Sequence, residues 1–262
     1  TYEADIVMKG VLHKYRLKLD QERVLEESAR SYPHGRAVLI FDRVEDEVRL
    51  GTSQRSRGRA VMDLLRPNAL FLSTAATANH PLLLGLYEWF QRNLLFADAQ
   101  TRGARQALTA EMMEHDGLRD RVLELLREAD LGITGANKRQ LDPEIKERVM
   151  RALNVLHGED GSEETTEEVE FDDFEVGLLH RAEGREVELG TADESRGTLI
   201  WFGLVGPVIE ALRRGSLLLA DELDASLHPT LVNALIGLFQ SEESNPRRAQ
   251  LIFNSHDVTL MG

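Results

Sequence analysis

The sequence predicts an α/β fold in which an antiparallel β-meander and a helical insertion accompany a central, mostly parallel sheet. Period-two alternation fills residues 2–50, and helical periodicity dominates the middle of the chain. Near the end, two short apolar runs at 216–220 and 250–254 flank an amphipathic helix. Strand, helix and strand in this order are typical of parallel neighbours, because parallel strands need a crossover connection.

The composition indicates an ordinary globular interior. Hydrophobic residues make up 42% and aromatic residues 6% of the 262 residues, so the core should consist mainly of Leu, Val, Ile and Ala. The chain has no cysteine, which excludes a disulfide framework or thiolate metal site and suits a reducing, cytoplasmic location. Its apolar runs fall far short of the roughly 20 residues that a membrane-spanning helix needs, so no membrane partner is expected.

The formal net charge of −14 disfavours binding of the whole chain to nucleic acid. Much of the negative charge lies at 159–175. A local basic groove is still possible, although a solvated helical face is the simpler explanation of the arginines concerned. These are Arg102, Arg105, Arg119 and Arg121.

The first segment, 1–56, is predicted to form the meander. Residues 2–19 alternate between apolar and polar, and two further runs at 37–41 and 48–50 follow turn signals. Nothing in this segment suggests chemistry, so we interpret it as scaffold.

The next segment, 57–102, mixes strand and helix patterns. A buried strand is predicted at 69–73. Asn79, followed by Pro81, is predicted to open a helix that runs to about Leu95.

A helical insertion is predicted at 103–158, and an acidic linker follows at 159–170. One amphipathic helix covers 117–130, and the pair Asp142-Pro143 opens another. The linker is rich in Glu, Ser and Thr, a composition typical of mobile segments.

The last segment, 171–262, carries the candidate chemistry, because an apolar strand there ends in two acids. Asp221 and Glu222 directly follow the run at 216–220. Open α/β sheets bind ligands beyond the carboxyl ends of their strands, and two adjacent carboxylates are costly there without a cation. Mg²⁺ held by Asp221, with Glu222 polarising a water for attack on a γ-phosphate, meets that need. Alternatively, the two acids simply begin a loop and Asp224 caps the next helix.

A second strand end supplies a histidine. An amphipathic helix at 230–239 leads to the apolar strand at 250–254, which is followed by Ser255 and His256. A lone histidine at a strand end is more often structural. Its order after the acid pair nevertheless places His256 beside the same phosphate if the two strands are parallel neighbours.

The sequence ESRGT at 194–198 precedes a long apolar helix that stops at Gly215. Ser195 or Thr198 can act as the N-cap of this helix. The same arrangement is also an anion site, because Gly197 permits close backbone approach to a helix N-terminus.

Taken in this order, the pieces resemble the ABC-type ATPase heads of the SMC, Rad50 and RecF kind. They look closest to the stand-alone bacterial AAA15/AAA_21 and OLD-related ATPases. ADELDASLHP at 220–229 is similar to a Walker B motif with its D-loop. ESRGT resembles a reduced signature loop, and NSHD at 254–257 resembles the switch-histidine loop. The detailed resemblance covers about 193–257.

The resemblance implies a role for each matched residue. Asp221 would serve Mg²⁺, Glu222 would be the catalytic base, and His256 would contact the γ-phosphate or the attacking water. Ser195 and Gly197 would reach the ATP bound to a second subunit.

The D-loop residues Ala225, Ser226 and Leu227 would lie at the seam of that dimer, with Ser226 near the nucleotide. His228 stands where transporter-type heads usually have Asp, which points to the SMC- and OLD-like branch.

The implied fold is a P-loop NTPase head with 1–56 as its antiparallel β part and 171–262 as its ATPase core. No G-x-x-x-x-G-K-[ST] motif occurs in the sequence. The P-loop of this family lies N-terminal to the meander, so the resemblance places it before Thr1. Residues 1–262 alone are therefore expected to bind ATP poorly and to be inactive.

The leading functional hypothesis is an ATPase head that dimerises around ATP and acts as a switch for an effector protein. The resemblance implies a role in bacterial anti-phage defence or a related toxin system. One alternative is a DNA repair or recombination ATPase that clamps DNA, which the net charge disfavours. Another is a non-hydrolysing interaction module, against which the presence of Asp221, Glu222 and His256 argues.

Overall fold

The chain divides into two compact units, Thr1–Arg92 and Asn93–Gly262. The helix predicted after Asp142 and the acidic linker at 159–170 lie outside the residues that the structure describes. The computed structural model describes residues 1–52, 61–98, 101–129, 132–140, 174–182, 184–221, 223 and 227–255.

Unit one is built on a five-stranded antiparallel meander in chain order, which confirms the meander predicted from the alternation. The register pairs Ala29 with Tyr15 on one side and with Phe41 on the other. All three residues lie in the buried core of this unit together with Ile6. The strands are β1 (Tyr2–Met8), β2 (Val11–Leu19), β3 (Val24–Tyr32), β4 (Val38–Val44) and β5 (Glu47–Leu50).

The strand predicted at 69–73 is wrong, because Phe71–Thr77 form helix α1. The backbone N–H groups of Phe71 and Leu72 donate to the buried carboxylate of Glu27, at 2.5 and 2.9 Å. The first amides of a helix have no partner within the helix, so this carboxylate satisfies them and sets where α1 begins. Glu27 lies 44 residues before Phe71, and a local pattern cannot reveal such a cap.

Unit two contains a three-stranded parallel sheet with β10 (Leu217–Ala220) at its centre. β11 (Gln250–Phe253) and β6 (Leu94–Ala97) pair with β10 on its two sides. The predicted parallel pairing of the last two apolar runs is therefore confirmed. The helix predicted to reach about Leu95 ends earlier, because α2 spans Pro81–Asn93 and β6 follows directly. Four apolar residues fit a helix or a strand equally well, and pairing with β10 decides the outcome.

A second sheet in unit two is antiparallel and has the order β7-β8-β9. Its strands are β7 (Ile133–Gln140), β8 (Phe174–Ala182) and β9 (Arg185–Gly190). β8 is central, so its backbone pairs with a neighbour on each side.

The helices of unit two pack around one hydrophobic core, which includes Trp201, Phe202 and Leu218. Helix α4 matches the prediction at 117–130, whereas α3 was not recognised as a separate helix. The helices are α3 (Arg102–Glu114), α4 (Asp116–Glu128), α5 (Arg196–Arg214) and α6 (Pro229–Gln240). Among the described residues, no helix combines the length and apolar content needed to cross a bilayer.

One of the four arginines considered for a basic groove is not at the surface. Arg105 is only 8% exposed. Its Nη2 donates to the backbone oxygen of Asp98 at 2.7 Å, and its Nε donates to Thr101 Oγ1 at 3.2 Å. This guanidinium therefore joins α3 to the end of β6 and is not available to a nucleic acid.

Candidate functional site

Polar groups in unit two converge where β10 and β11 end. The backbone N–H of Asp221, which follows β10, donates to the Ala97 oxygen on β6 at 3.1 Å. Asn254 follows β11, and its backbone N–H donates to the Ala220 oxygen at 3.3 Å. The side-chain Nδ2 of Asn254 donates to Oδ1 of Asp221. Strand pairing thus places a carboxylate beside an amide at the end of the central strand.

The donor chemistry of Asp221 fits a divalent cation that is shared with phosphate. Its carboxylate is exposed, and one of its oxygens is engaged by the Asn254 amide. Mg²⁺ in nucleotide sites is held by one or two carboxylates, with phosphate oxygens and waters as the remaining ligands. The described residues show no cluster of three or more His, Asp or Glu side chains that could hold a metal. A single exposed carboxylate is compatible with a site of that kind.

Two polar residues at these strand ends were not assigned a role from the sequence. Asp98 follows β6, and its Oδ1 accepts the backbone N–H of Thr101 at 2.9 Å. The signal for Asp98 was an apolar run followed by an acid, the same pattern that precedes Asp221, but it was hidden when the start of β6 was assigned to a helix. The sequence places Asn254 at the end of its strand and at the start of the NSHD segment, without indicating a role for its side chain. Its side-chain role depends on the pairing of β10 with β11.

Three predicted site residues lie outside the part of the chain that the structure describes. They are Glu222, Ser226 and His256, and the neighbouring Asp224 and Ala225 lie outside it as well. Their roles stay predictions. Of the acid pair and the switch histidine, only Asp221 has a described geometry.

Ser195 is the N-cap of α5. Its Oγ accepts the backbone N–H of Thr198 at 3.1 Å and lies 2.8 Å from Thr198 Oγ1. Ser195 is exposed, Gly197 is half-buried in the first turn, and Thr198 is buried. The capping interpretation is confirmed. Ser195 and Arg196 are exposed at the start of α5, where the first amides of a helix have no partner within the helix, which suits the predicted anion contact.

The residue before this cap, Glu194, is anchored by a histidine from the second sheet. Nε2 of His180 and Oε1 of Glu194 form a hydrogen bond. Their side chains are 18% and 5% exposed. Local sequence patterns do not indicate this pair, because the two residues lie in different elements.

The start of α6 differs from the alternative in which Asp224 caps this helix. The N-cap is His228, whose Nδ1 accepts the backbone N–H of Thr230 at 3.3 Å, and Pro229 occupies the first turn. Leu227, which the resemblance places at a dimer seam, is only 6% exposed and packs in the core of unit two. Its side chain is therefore not part of the exposed surface.

Comparisons with known proteins bear on the whole of unit two. A family model described as AAA domain, putative AbiEii toxin, Type IV TA system matches residues 90–262, which is more than half of the chain. No curated protein gives a significant match. An AAA domain has the α/β fold of P-loop nucleoside triphosphatases, and the sheets and helices of unit two are consistent with it. Domains of this type are nucleotide-binding ATPases that generally use ATP and Mg²⁺.

Proposed function

This chain belongs to the family described as AAA domain, putative AbiEii toxin, Type IV TA system, and from that membership we propose an ATP-hydrolysing head that dimerises around ATP. The dimer acts as a switch for an effector protein. Within the P-loop ATPases, we assign the head to the ABC-type class that includes the SMC- and OLD-like proteins. The observation that carries this proposal is the paired Asp221 and Asn254 at the ends of two parallel strands.

The Asp221 carboxylate is the Mg²⁺ ligand in this proposal. Bound Mg²⁺–ATP supplies the bond to be hydrolysed and the charge neutralisation that phosphoryl transfer needs. The Asn254 amide orients the Asp221 carboxylate by donating to Oδ1 and leaves the second oxygen for the cation. Glu222 is the general base that accepts a proton from the attacking water, and His256 contacts the γ-phosphate or that water.

A second subunit contributes the N-terminus of α5. Ser195 and Gly197 lie at the start of this long helix, where backbone N–H groups and the helix dipole favour a phosphate. Ser195 is an exposed residue while its hydroxyl caps the helix, so it can meet a nucleotide presented by another copy of the chain. Ser226 of the D-loop belongs to the same contact. Dimerisation therefore completes the site.

The biological role that we propose is in bacterial anti-phage defence or a related toxin system of the cytoplasm. It is supported by the description of the matching family, which names a putative toxin and a type IV toxin–antitoxin system. A DNA clamp receives less support. The net charge is −14, and one of the four arginines considered for a basic groove is buried.

The experiment measures ATP turnover and ATP-dependent dimerisation of the complete natural protein. Glu222→Gln should lower turnover about 10²- to 10⁴-fold, as removal of a general base does, and should accumulate an ATP-bound dimer. Asp221→Asn should lower turnover and raise the Mg²⁺ concentration that turnover requires. Asp116→Asn, at an exposed acid on α4, is the matched control and should leave both unchanged. Wild-type turnover in both the Glu222 and the Asp221 variant would overturn the proposal.

A further inference from the structure

We propose that His180 is a positioning residue for residues 194–198, the signature segment. His180 holds Glu194 by a hydrogen bond, and through Glu194 it fixes Ser195 at the start of α5. This inference rests on the proposed function of Ser195 in the composite nucleotide site. It adds a residue from the second sheet that touches neither the nucleotide nor the metal.

His180 sits on the most constrained strand of its sheet. It lies on the central strand β8, where it pairs with Ile133 of β7 and with Val187 of β9. Backbone pairing on both sides restrains the Cα position, with a register irregularity in β7 between Ile133 and Gly135, and the imidazole is only 18% exposed. The sheet therefore presents Nε2 at a defined place.

Glu194 needs this partner because its carboxylate is buried. Its side chain is 5% exposed, and a buried carboxylate is costly unless it is hydrogen-bonded. Within the described residues, His180 provides that hydrogen bond. Without the imidazole, the Glu194 carboxylate would reorient towards water, and the backbone of Glu194 would shift as a result.

The backbone of Glu194 cannot move without Ser195. Only five residues separate the end of β9 at Gly190 from the start of α5 at Arg196. A turn closes the first part of this connection, because the Asp193 N–H donates to the Gly190 oxygen at 3.0 Å. The last part is the cap itself, in which Ser195 Oγ accepts from Thr198. A shift of Glu194 is therefore transmitted to the Ser195 hydroxyl.

A purely structural role for His180 predicts a different result. In that case its loss would destabilise the sheet in the same way as the loss of any other polar contact there. Thr134 offers the matched control, since its Oγ1 lies 3.2 Å from the Leu179 oxygen and 3.1 Å from Glu186 Oε1 in the same sheet. Thr134→Val removes these bonds and leaves the Glu194 anchor in place.

The test compares His180→Ala, His180→Gln and Thr134→Val in the complete natural protein. Because the signature segment serves the nucleotide of the partner, His180→Ala should leave ATP binding by a single head unchanged. ATP-dependent dimerisation and turnover should fall about 10- to 100-fold, as when a functional group loses its orienting partner. The glutamine amide can donate where Nε2 does, so His180→Gln should recover most of the activity, and Thr134→Val should retain it.

A second measurement does not depend on ATP. Hydrogen exchange of the Thr198 and Leu199 amides, which donate to Ser195 Oγ and to the Ser195 oxygen, should accelerate in His180→Ala and not in Thr134→Val. Unchanged exchange at these amides would overturn the inference, as would equal losses of turnover in both variants. If His180→Ala fails to fold, Glu194→Ala replaces it in the same measurements, because it removes the same hydrogen bond from its other end. A wild-type protein without ATP turnover would contradict the proposed function, whereas the exchange result would still decide whether His180 holds the cap.

Discussion

The Asn254 amide donates a hydrogen bond to the Asp221 carboxylate, with 2.5 Å between Nδ2 and Oδ1. The two residues lie 33 positions apart in the chain. They meet because the register pairs Ala220 with Phe253, so that the next residue on each strand stands at the same edge of the sheet. The carboxylate is therefore oriented by the neighbouring strand.

Replacing this amide should impair hydrolysis without impairing the fold. In Asn254→Ala the carboxylate of Asp221 loses its orienting donor, so turnover should fall about 10-fold or more, with a higher Mg²⁺ requirement. Because the pair is exposed, the free energy of unfolding should change by less than about 0.5 kcal/mol. Turnover at several Mg²⁺ concentrations and urea denaturation measure the two effects.

Asn137 provides the control for this substitution. Its Nδ2 donates to Glu188 Oε2 at 3.0 Å, in an exposed amide–carboxylate pair that joins β7 to β9. Asn137→Ala should leave turnover and the Mg²⁺ requirement unchanged. Equal turnover in the two variants would show that the amide of Asn254 has no special part in hydrolysis.

The elements predicted correctly from the sequence carry their signals locally. Helix α5 begins after its N-cap Ser195 and ends at Arg214, and Gly215 follows as the C-cap with a φ of 73°. Such a positive φ suits glycine, so the stop signal was visible in the residue type. Strands β10 and β11 were short apolar runs with polar ends, and their parallel order followed from the helix between them.

The elements that were missed depend on distant partners. Helix α1 begins at Phe71 because the Glu27 carboxylate accepts hydrogen bonds from the first amides of this helix. Residues 94–97 form strand β6 because they pair with β10. The Asn254 amide and the His180 imidazole acquire their roles in the same way. Local periodicity contains no information about these contacts, since each joins elements that are far apart in the chain.

Gly206 in α5 should not tolerate a methyl group. The Gly206 N–H donates to Thr109 Oγ1 at 2.9 Å, and that hydroxyl lies 2.8 Å from the Phe202 oxygen, which joins α3 to α5. A Cβ on Gly206 would lie 2.7 Å from Thr109 Oγ1 and 3.0 Å from its backbone nitrogen. Overpacking of this kind costs about 1–3 kcal/mol, so Gly206→Ala should be destabilising in urea denaturation despite its higher helix propensity.

The substitution Gly237→Ala in α6 measures the effect of helix propensity without steric overlap. A Cβ at this position would meet no heavy atom within 4 Å. Gly237→Ala should therefore raise the free energy of unfolding by up to about 1 kcal/mol. If both substitutions stabilise the protein, the close packing of α3 against α5 at Gly206 is not as described.

The buried carboxylate of Glu27 should be a major determinant of the stability of unit one. The side chains of Glu27 and Arg43 are both inaccessible, and Oε2 lies 3.7 Å from Nη1. The Tyr15 hydroxyl donates to the same carboxylate at 3.0 Å. Glu27→Ala would leave the first amides of α1 without their acceptor and the buried Arg43 guanidinium without its charge partner, so the free energy of unfolding in urea denaturation should fall by about 3–5 kcal/mol.

The preceding residue, Glu26, is the control for this loss. It forms an ion pair with Lys18 at 3.2 Å, in which both side chains are about 40% exposed. Exposed pairs contribute little, so Glu26→Ala should cost less than about 1 kcal/mol. Similar losses in the two variants would refute the importance assigned to burial.

The ion pairs of Glu210 should make part of the stability of unit two dependent on pH. The hydrogen bond from Arg213, at 2.9 Å from its Nε, and the charge of Arg214 hold the pKa of Glu210 below its ordinary value of 4.5. A lowered carboxylate pKa stabilises the folded state above the unfolded-state value, and this contribution is lost as pH falls through the folded-state pKa. In urea denaturation, Glu210→Gln should cost about 1 kcal/mol near neutral pH, and the difference from wild type should shrink below pH 4.5.

Glu124→Gln, in the more exposed pair with Arg121, should cost less. If the difference in the free energy of unfolding between wild type and Glu210→Gln stays constant as the pH falls below 4.5, the stabilising role assigned to the lowered pKa of Glu210 is contradicted.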